Sequence, residues 1–168
     1  MKVHFSKLHE TLLFKLQGAV HYVTLYSPYI KKEVVGRLIS NVGSDVKIQM
    51  ICSWKIEDLA KGVSDIEVYH LLKEEGHHLF YCPSLHLKTY LFDDKHLLTG
   101  SANLTSKGLG ICEDTNLETL VEVDPIPNDY AIYLSKSLLL LPIHHSIGIT
   151  EINFMIDSLK NIINKIKD

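Results

Sequence analysis

The chain has 168 residues, an apolar content of 46% and a formal net charge of −3. This length predicts one domain over residues 1–168, and the apolar content is enough for a core without disulfides or a structural metal. The charge excludes a protein that holds nucleic acid by a basic surface alone, so any phosphate-binding surface must be local. The cysteines form no C-x-x-C pair, and no secretion signal or membrane span is evident. We therefore expect a cytoplasmic protein.

Helices and strands are expected to alternate along the first two thirds of the chain. In chain order, the pattern predicts a helix that Ser6 caps and that runs to about Gln17, a strand at 21–26, a helix at 31–42, a strand at 46–54, and a helix that Ser64 caps and that ends near Glu75. Strands at 77–82, 85–92, 96–98 and 117–123 follow, with a short turn or helix after Asn103. This alternation is typical of an α/β fold.

The last third of the chain is predicted to be helical. Its clearest element is a C-terminal helix at about 149–167, in which apolar residues follow a and d spacing. Because the repeat lasts only about two heptads, core packing is favoured over a partner-binding seam.

The stretch from Leu85 to Asn103 holds the residues with chemical potential. On a strand, His86 and Lys88 would point to the same side, about 7 Å apart along the chain. Gly100 permits close backbone approach, and Ser101 and Asn103 supply a hydroxyl and an amide for phosphate oxygens. We therefore predict a nucleophile, a cation and an anion cradle on one surface.

A carboxylate from the strand at 117–123 would complete this set. Glu118 could accept the proton on one nitrogen of His86 and leave the other nitrogen free to attack, with Asp114 and Glu122 as alternatives. Each feature alone is weak, because a lone histidine in an apolar strand is usually a packed or surface residue and G-S-x-N is common in loops. The prediction depends on the joint spacing.

That spacing reads H-x-K-x4-D-x6-G-S-x-N over residues 86–103 without a departure. It resembles the signature of the phospholipase D superfamily, which implies a central mixed sheet flanked by helices on both faces. The motif occurs once, and short single-copy members are typically nucleases in which two chains meet at the motif. The resemblance implies that one His86 attacks phosphorus and the second copy's His86 protonates the leaving oxygen.

The resemblance also implies roles for the remaining motif residues. Lys88 and Asn103 would orient the non-bridging phosphate oxygens, and Ser101 would hydrogen-bond the phosphate or a neighbouring site group. Asp93 would support the site structurally, and the N-x-E element at 116–118 identifies Glu118. Weaker candidates for phosphate or nucleic-acid contact are Gly100, Lys107 and the lysines at 31, 32 and 55. For the lysines, the alternative interpretation is a solvated side chain.

Metal-dependent alternatives are poorly supported by the spacing. Asp93-Asp94-Lys95 matches the end of a D-x-K nuclease motif, but no Pro-Asp precedes it at a suitable distance. The pairs His77-His78 and His144-His145 lack acidic or cysteine partners at ligand spacing. We expect no metal and no cofactor.

Three functions remain open. The chain most resembles the metal-independent restriction endonuclease branch, which implies a homodimeric endonuclease on DNA in preference to RNA, with sequence choice left to a separate recognition subunit or lax. A lipid phosphodiesterase or phosphatidyl transferase would use the same half-reaction, but the second motif and a membrane-binding face are missing. A non-catalytic assembly subunit would use its C-terminal helix for interaction, and His86 would be dispensable.

Overall fold

The structure, a computed structural model of the chain, describes residues 1–123 and 141–142. Its elements are β1 (Lys2–His4), α1 (Leu8–Gln17), β2 (Tyr22–Tyr26), α2 (Lys32–Ile39), β3 (Lys47–Cys52), α3 (Ile56–Ala60), α4 (Val68–Glu74), β4 (His78–Tyr81), β5 (Thr89–Phe92), β6 (His96–Gly100), β7 (Leu120–Val123) and β8 (Leu141–Pro142). The predicted C-terminal helix at 149–167 and the pair His144-His145 lie outside the described residues.

All eight strands form one sheet in the order β1-β7-β6-β5-β2-β3-β4-β8. The strands β2, β3 and β4 are parallel and are linked through helices, as parallel neighbours require. From β2 outward, β5, β6 and β7 are each antiparallel to their neighbour. The end of β2, the start of β5, the end of β6 and the start of β7 therefore meet at one end of the sheet, called the site end below.

Among the residues that the structure describes, most of the apolar core lies on one face of this sheet. Alternate strand residues such as Leu25, Met50 and Tyr90 are fully buried there together with residues of α1, α2 and α4. A smaller cluster on the opposite face contains Tyr26 and Ile51. Burying a side chain of this size stabilises a fold by about 1.5–3 kcal/mol. The α/β fold with a central mixed sheet is therefore confirmed, and within the described residues α1, α2 and α4 contribute to the core on the first face.

Two predicted helix starts are wrong. The helix α1 begins after Lys7, which has a left-handed φ of 54° and caps it with no side-chain hydrogen bond, so Ser6 is not its cap. The helix α4 begins after Glu67, and the Ser64 hydroxyl instead accepts a hydrogen bond from the backbone N–H of Ile30 at 3.1 Å. An apolar pattern of helical spacing follows both serines, but neither serine is the N-cap of the helix.

The short helix α3 was not predicted. It buries none of its five residues, so it has no apolar stripe that the sequence could display. Among residues 1–123, every helix is too short or too polar to cross a bilayer.

Candidate active site

Three chain segments meet at the site end of the sheet: residues 86–88 before β5, 100–103 starting at the last residue of β6, and 116–119 before β7. Backbone hydrogen bonds join them in series. The N–H of Gly100 donates to the carbonyl of Lys88 at 3.1 Å, and the N–H of Ser101 donates to the carbonyl of Thr119 at 3.1 Å. The fold thus gathers the motif residues that the sequence separates by up to 33 positions, from His86 to Thr119.

His86 and Lys88 present their side chains on one surface. The Nζ of Lys88 lies 3.5 Å from the Nε2 of His86 and donates to the His86 carbonyl at 2.9 Å. The expected shared side is present, but the expected strand is not, because β5 begins only at Thr89. His86 is exposed and Lys88 is half-buried. Burial lowers the pKa of Lys88, and the nearby carboxylate of Glu118 acts in the opposite direction.

Gly100 allows β6 and the segment before β7 to touch. A Cβ atom at this position would lie 2.0 Å from the carbonyl oxygen of Thr119 and 2.9 Å from its carbonyl carbon. No real Cβ atom tolerates such contacts with backbone. The close approach predicted for Gly100 is therefore made by this chain's own backbone, and its suggested contact with phosphate stays a prediction.

The side chain of Ser101 also joins the end of β6 to the segment before β7. Its Oγ accepts a hydrogen bond from the backbone N–H of Thr119 at 3.1 Å, which pairs with the backbone bond in the reverse direction. Of the two partners expected for this hydroxyl, the structure provides the neighbouring site group. Ser101 therefore fixes the segment that holds Glu118 against the end of β6.

Glu118 lies just before β7, which begins at Leu120, so its predicted place on a strand is wrong. Its Oε1 accepts a hydrogen bond from the side-chain amide of Asn116 at 3.1 Å. Within the described residues it makes no hydrogen bond to His86, and its charge acts on Lys88 instead. In one isolated chain, Glu118 therefore supports the cation and not the imidazole.

The two alternative carboxylates are engaged elsewhere. Asp114 is exposed and forms an ion pair with Lys107. Glu122, on β7, accepts from Lys15 Nζ at 2.6 Å and from His4 Nε2 at 2.9 Å. In the part of the chain that the structure describes, neither carboxylate bonds to the imidazole of His86.

Asp93 lies at the opposite end of β5 from Lys88. Its carboxylate accepts hydrogen bonds from three successive backbone N–H groups, those of Val20 and His21 at 2.8 Å and that of Tyr22 at 3.0 Å. Burial opposes ionisation of this carboxyl, but the three donors together lower the pKa of Asp93. Asp93 thus fixes the start of β2, away from the reacting groups, in keeping with the supporting role expected of it.

Asn103 is half-buried, and its surroundings include residues that the sequence did not identify. Its Oδ1 lies 3.4 Å from the Oγ of Ser27, which is completely buried just after β2. The flanking Leu104 donates its N–H to the same oxygen at 3.0 Å. In the sequence, Ser27 was visible only as the serine before a proline that ends a strand.

Two of the candidate lysines are already paired. Lys107 contacts Asp114, and this hydrogen bond raises the pKa of Lys107. Lys31 donates to Asp65 and to the carbonyl of Gly62. A phosphate contact by either lysine would have to displace these partners.

No metal centre is formed by the described part of the chain, where no three histidine, cysteine or acidic side chains come together. His77 instead accepts a hydrogen bond from the backbone N–H of Ile48 at 3.3 Å, and burial lowers the pKa of this histidine. Asp94 accepts a hydrogen bond from the hydroxyl of Tyr22.

Comparisons with known proteins agree with this architecture. The structure of Nuc from Salmonella typhimurium, described as a phospholipase D family member, is 18% identical with a TM-score of 0.62, and the match covers 81% of this chain and 89% of that one. NucT from Helicobacter pylori is 17% identical with a TM-score of 0.58, covering 76% and 82%. Phosphatidylserine synthase from Haemophilus influenzae is 12% identical with a TM-score of 0.70, covering 95% of this chain but 42% of that one. These likenesses show the fold.

Sequence comparison identifies the family. No curated protein matches the chain. Residues 12–128, however, match the family model described as cardiolipin synthase, PLD-like domain, and this range includes every segment of the site. The chain therefore belongs to the phospholipase D superfamily and contains its PLD-like phosphodiesterase domain.

Proposed function

We propose that this protein is a metal-independent endonuclease that cleaves DNA in preference to RNA, through a covalent phosphohistidine at a homodimer interface. The observation that carries the proposal is the pairing of His86 Nε2 and Lys88 Nζ, 3.5 Å apart on an exposed surface. A nucleophilic nitrogen beside a fixed cation suits attack on an anionic phosphodiester. Asn103 and Lys88 then bind the non-bridging oxygens.

The reaction needs two imidazoles. One His86 forms an N–P bond while the bond from phosphorus to the leaving oxygen breaks, and that oxygen takes a proton from the second copy's His86. Water then attacks phosphorus, gives its proton to the second copy's His86, and the N–P bond breaks. The first imidazole is thereby regenerated without an oxidant or reductant.

A second copy is the simplest source of the acid. The sequence contains one H-x-K-x4-D motif, and in the described residues this motif supplies one imidazole to the site end of the sheet. Since His86 is exposed, it is accessible to a second chain. Within the same proposal the protein works in the cytoplasm, and a separate DNA-recognition subunit of a restriction or defence system selects the cleavage site.

A second candidate is phosphatidyl transfer. The matching family model is described as cardiolipin synthase, and the fold of a phosphatidylserine synthase covers 95% of this chain. In that reaction a lipid alcohol would take the place of water in the second step. The site geometry serves both reactions, so the substrate decides between them.

The test uses labelled single- and double-stranded DNA, RNA, and phospholipid vesicles with an added alcohol acceptor, all in excess chelator. The variants are His86→Ala and, as a matched control, His78→Ala, because His78 is also an exposed histidine but lies on β4. We expect DNA cleavage by the wild type and by the control, and a loss of more than about 1,000-fold for His86→Ala. Quenching in alkali should leave a labelled DNA fragment joined through phosphate to the wild-type protein and none on His86→Ala.

Each other outcome has a definite meaning. Turnover of vesicles without DNA cleavage would assign phosphatidyl chemistry, and activity that the chelator abolishes would overturn the metal-independent mechanism. Absence of turnover by the wild type on every substrate would leave the assembly-subunit alternative, and full activity of His86→Ala would refute His86 as the nucleophile. Sedimentation of the active protein as a strict monomer would refute the shared site.

A further inference from the structure

The backbone on either side of Asn103 is held by two buried hydroxyl groups. The Oγ of Ser27 accepts the N–H of Leu104 at 3.0 Å. The hydroxyl of Tyr90 donates to the carbonyl of Ala102 at 2.6 Å. Ser27 and Tyr90 both have no exposed surface, so water cannot take over either contact. Asn103 is therefore clamped from both sides by residues that lie 76 and 13 positions earlier in the chain.

The single proton of the Ser27 hydroxyl is committed at this point. A serine hydroxyl has one proton to donate and two lone pairs to accept with. The Oγ lies 2.7 Å from the carbonyl of Tyr29, which is the closer acceptor, and 3.4 Å from the Oδ1 of Asn103. Since the proton goes to Tyr29, the oxygen is oriented to accept from Leu104.

Tyr90 and Gly108 also restrict the backbone of Asn103. Complete burial raises the pKa of Tyr90, so its hydroxyl stays protonated and remains a donor. A Cβ atom on Gly108 would lie 2.7 Å from the carbonyl oxygen of Asn103 and 3.0 Å from its backbone nitrogen. The backbone of Asn103 thus has little freedom to rotate.

We propose that Ser27 is a positioning residue that fixes Asn103 in the orientation that binds a phosphate oxygen. The inference rests on the proposed function, in which Asn103 donates to the phosphate. A donor that is already oriented stabilises the developing charge without reorganisation during the reaction. Loss of the Ser27 hydroxyl frees the Leu104 N–H and lets the 102–104 backbone turn, which misdirects the side-chain amide.

The test compares Ser27→Ala with Ser64→Ala. Ser64 is a matched control, because it is also buried and also accepts one backbone N–H, that of Ile30, from the adjacent loop. We expect Ser27→Ala to lower kcat by about 10- to 100-fold with KM nearly unchanged. Ser64→Ala should lower the melting temperature to a similar extent but keep the wild-type kcat. A kcat loss shared by both variants would show a merely structural role.

Coupling to Asn103 provides a sharper criterion. If Ser27 acts through Asn103, Ser27→Ala should have no further effect on kcat in an Asn103→Ala background. Equal losses in both backgrounds would overturn the inference. Tyr90→Phe keeps the ring in the core and removes only the hydroxyl, so it decides the matter should Ser27→Ala fail to fold. The same pattern of low kcat and unchanged KM is then expected.

A titration with inorganic phosphate separates this inference from the proposed function. The side-chain amide signals of Asn103 in an NMR spectrum, assigned by their loss in Asn103→Ala, should shift on phosphate addition in the wild type. In Ser27→Ala the shift at saturating phosphate should be at most about half as large, because the amide is misdirected, and in Ser64→Ala it should be as in the wild type. Wild-type behaviour of Ser27→Ala would refute the positioning role alone. Phosphate binding without any cleavage would instead refute the proposed function.

Discussion

Substituting Asp93 by asparagine tests whether this motif residue stabilises the fold without taking part in the reaction. Asparagine keeps the size of the side chain and tolerates the left-handed φ of 52° at this position. It replaces one carboxylate oxygen by an NH₂ group, which turns a donor toward one of the backbone N–H groups of Val20, His21 and Tyr22. At least one hydrogen bond is lost, and the remaining bonds lose their charge.

The expected cost follows from these contacts. Hydrogen bonds to charged groups contribute about 1.5–3 kcal/mol each, but two of the three lie at the exposed surface, where water replaces part of the loss. We therefore expect Asp93→Asn to lower the free energy of unfolding by about 2 kcal/mol. For a chain of this size, that corresponds to a fall of about 4–8 °C in melting temperature.

The pH dependence provides the internal control. The pKa of Asp93 is lowered on folding, so its stabilisation is present above the unfolded pKa of about 3.9 and is lost as the pH falls through the folded pKa. Urea denaturation at pH 7, 5 and 3.5 should show the gap between wild type and variant closing toward acid. Asp45→Asn, at an exposed turn, should show no gap. A kcat loss in folded Asp93→Asn, or a gap unchanged at pH 3.5, would refute the reasoning.

Two further substitutions probe how the sheet is joined around the site. Gly100→Ala should lower the free energy of unfolding, measured by urea denaturation, by about 3 kcal/mol or more. The reason is that a Cβ there would lie 2.0 Å from a backbone oxygen of the neighbouring segment. A loss below about 0.5 kcal/mol would contradict the close approach. Glu122→Gln should lower the free energy of unfolding by about 2 kcal/mol at pH 7, because it removes the carboxylate that the partly buried Lys15 and His4 contact. Glu113→Gln, at the surface, should leave the free energy of unfolding unchanged. Hydrogen bonds from Lys15 and His4 lower the pKa of Glu122, so this cost should shrink as the pH falls below about 4.3, and a pH-independent cost would exclude the charge as its cause.

The sequence predicted the features that depend on local spacing. The residues at 21–26 predicted a strand, which the structure places at Tyr22–Tyr26 with four of its five residues buried. The spacing of two residues predicted that His86 and Lys88 share a surface, and their side-chain nitrogens lie 3.5 Å apart although β5 begins only at Thr89.

Features that depend on distant contacts could not be predicted in this way. A serine before an apolar run has the same local pattern whether it caps the helix or, like Ser64, accepts an N–H from a residue 34 positions earlier. The same holds for Ser27, whose partner Leu104 is 77 positions away. Glu118 was assigned to a strand together with its neighbours, but Thr119 binds the side chain of Ser101, 18 positions earlier, and β7 begins only at Leu120.

The negative net charge of the chain is compatible with a phosphate site because the local field differs from the average. Lys31 and Lys107 are neutralised by carboxylates, so they add little to the potential at the site. Lys88 is half-buried, and a cation in a less polar environment attracts a phosphate oxygen more strongly than one in water. That burial lowers the pKa of Lys88, and the charge of the neighbouring Glu118 acts in the opposite direction. In the proposed dimer two such cations would converge on one phosphate, and the positive charge that a metal supplies in other nucleases would come from the fold itself.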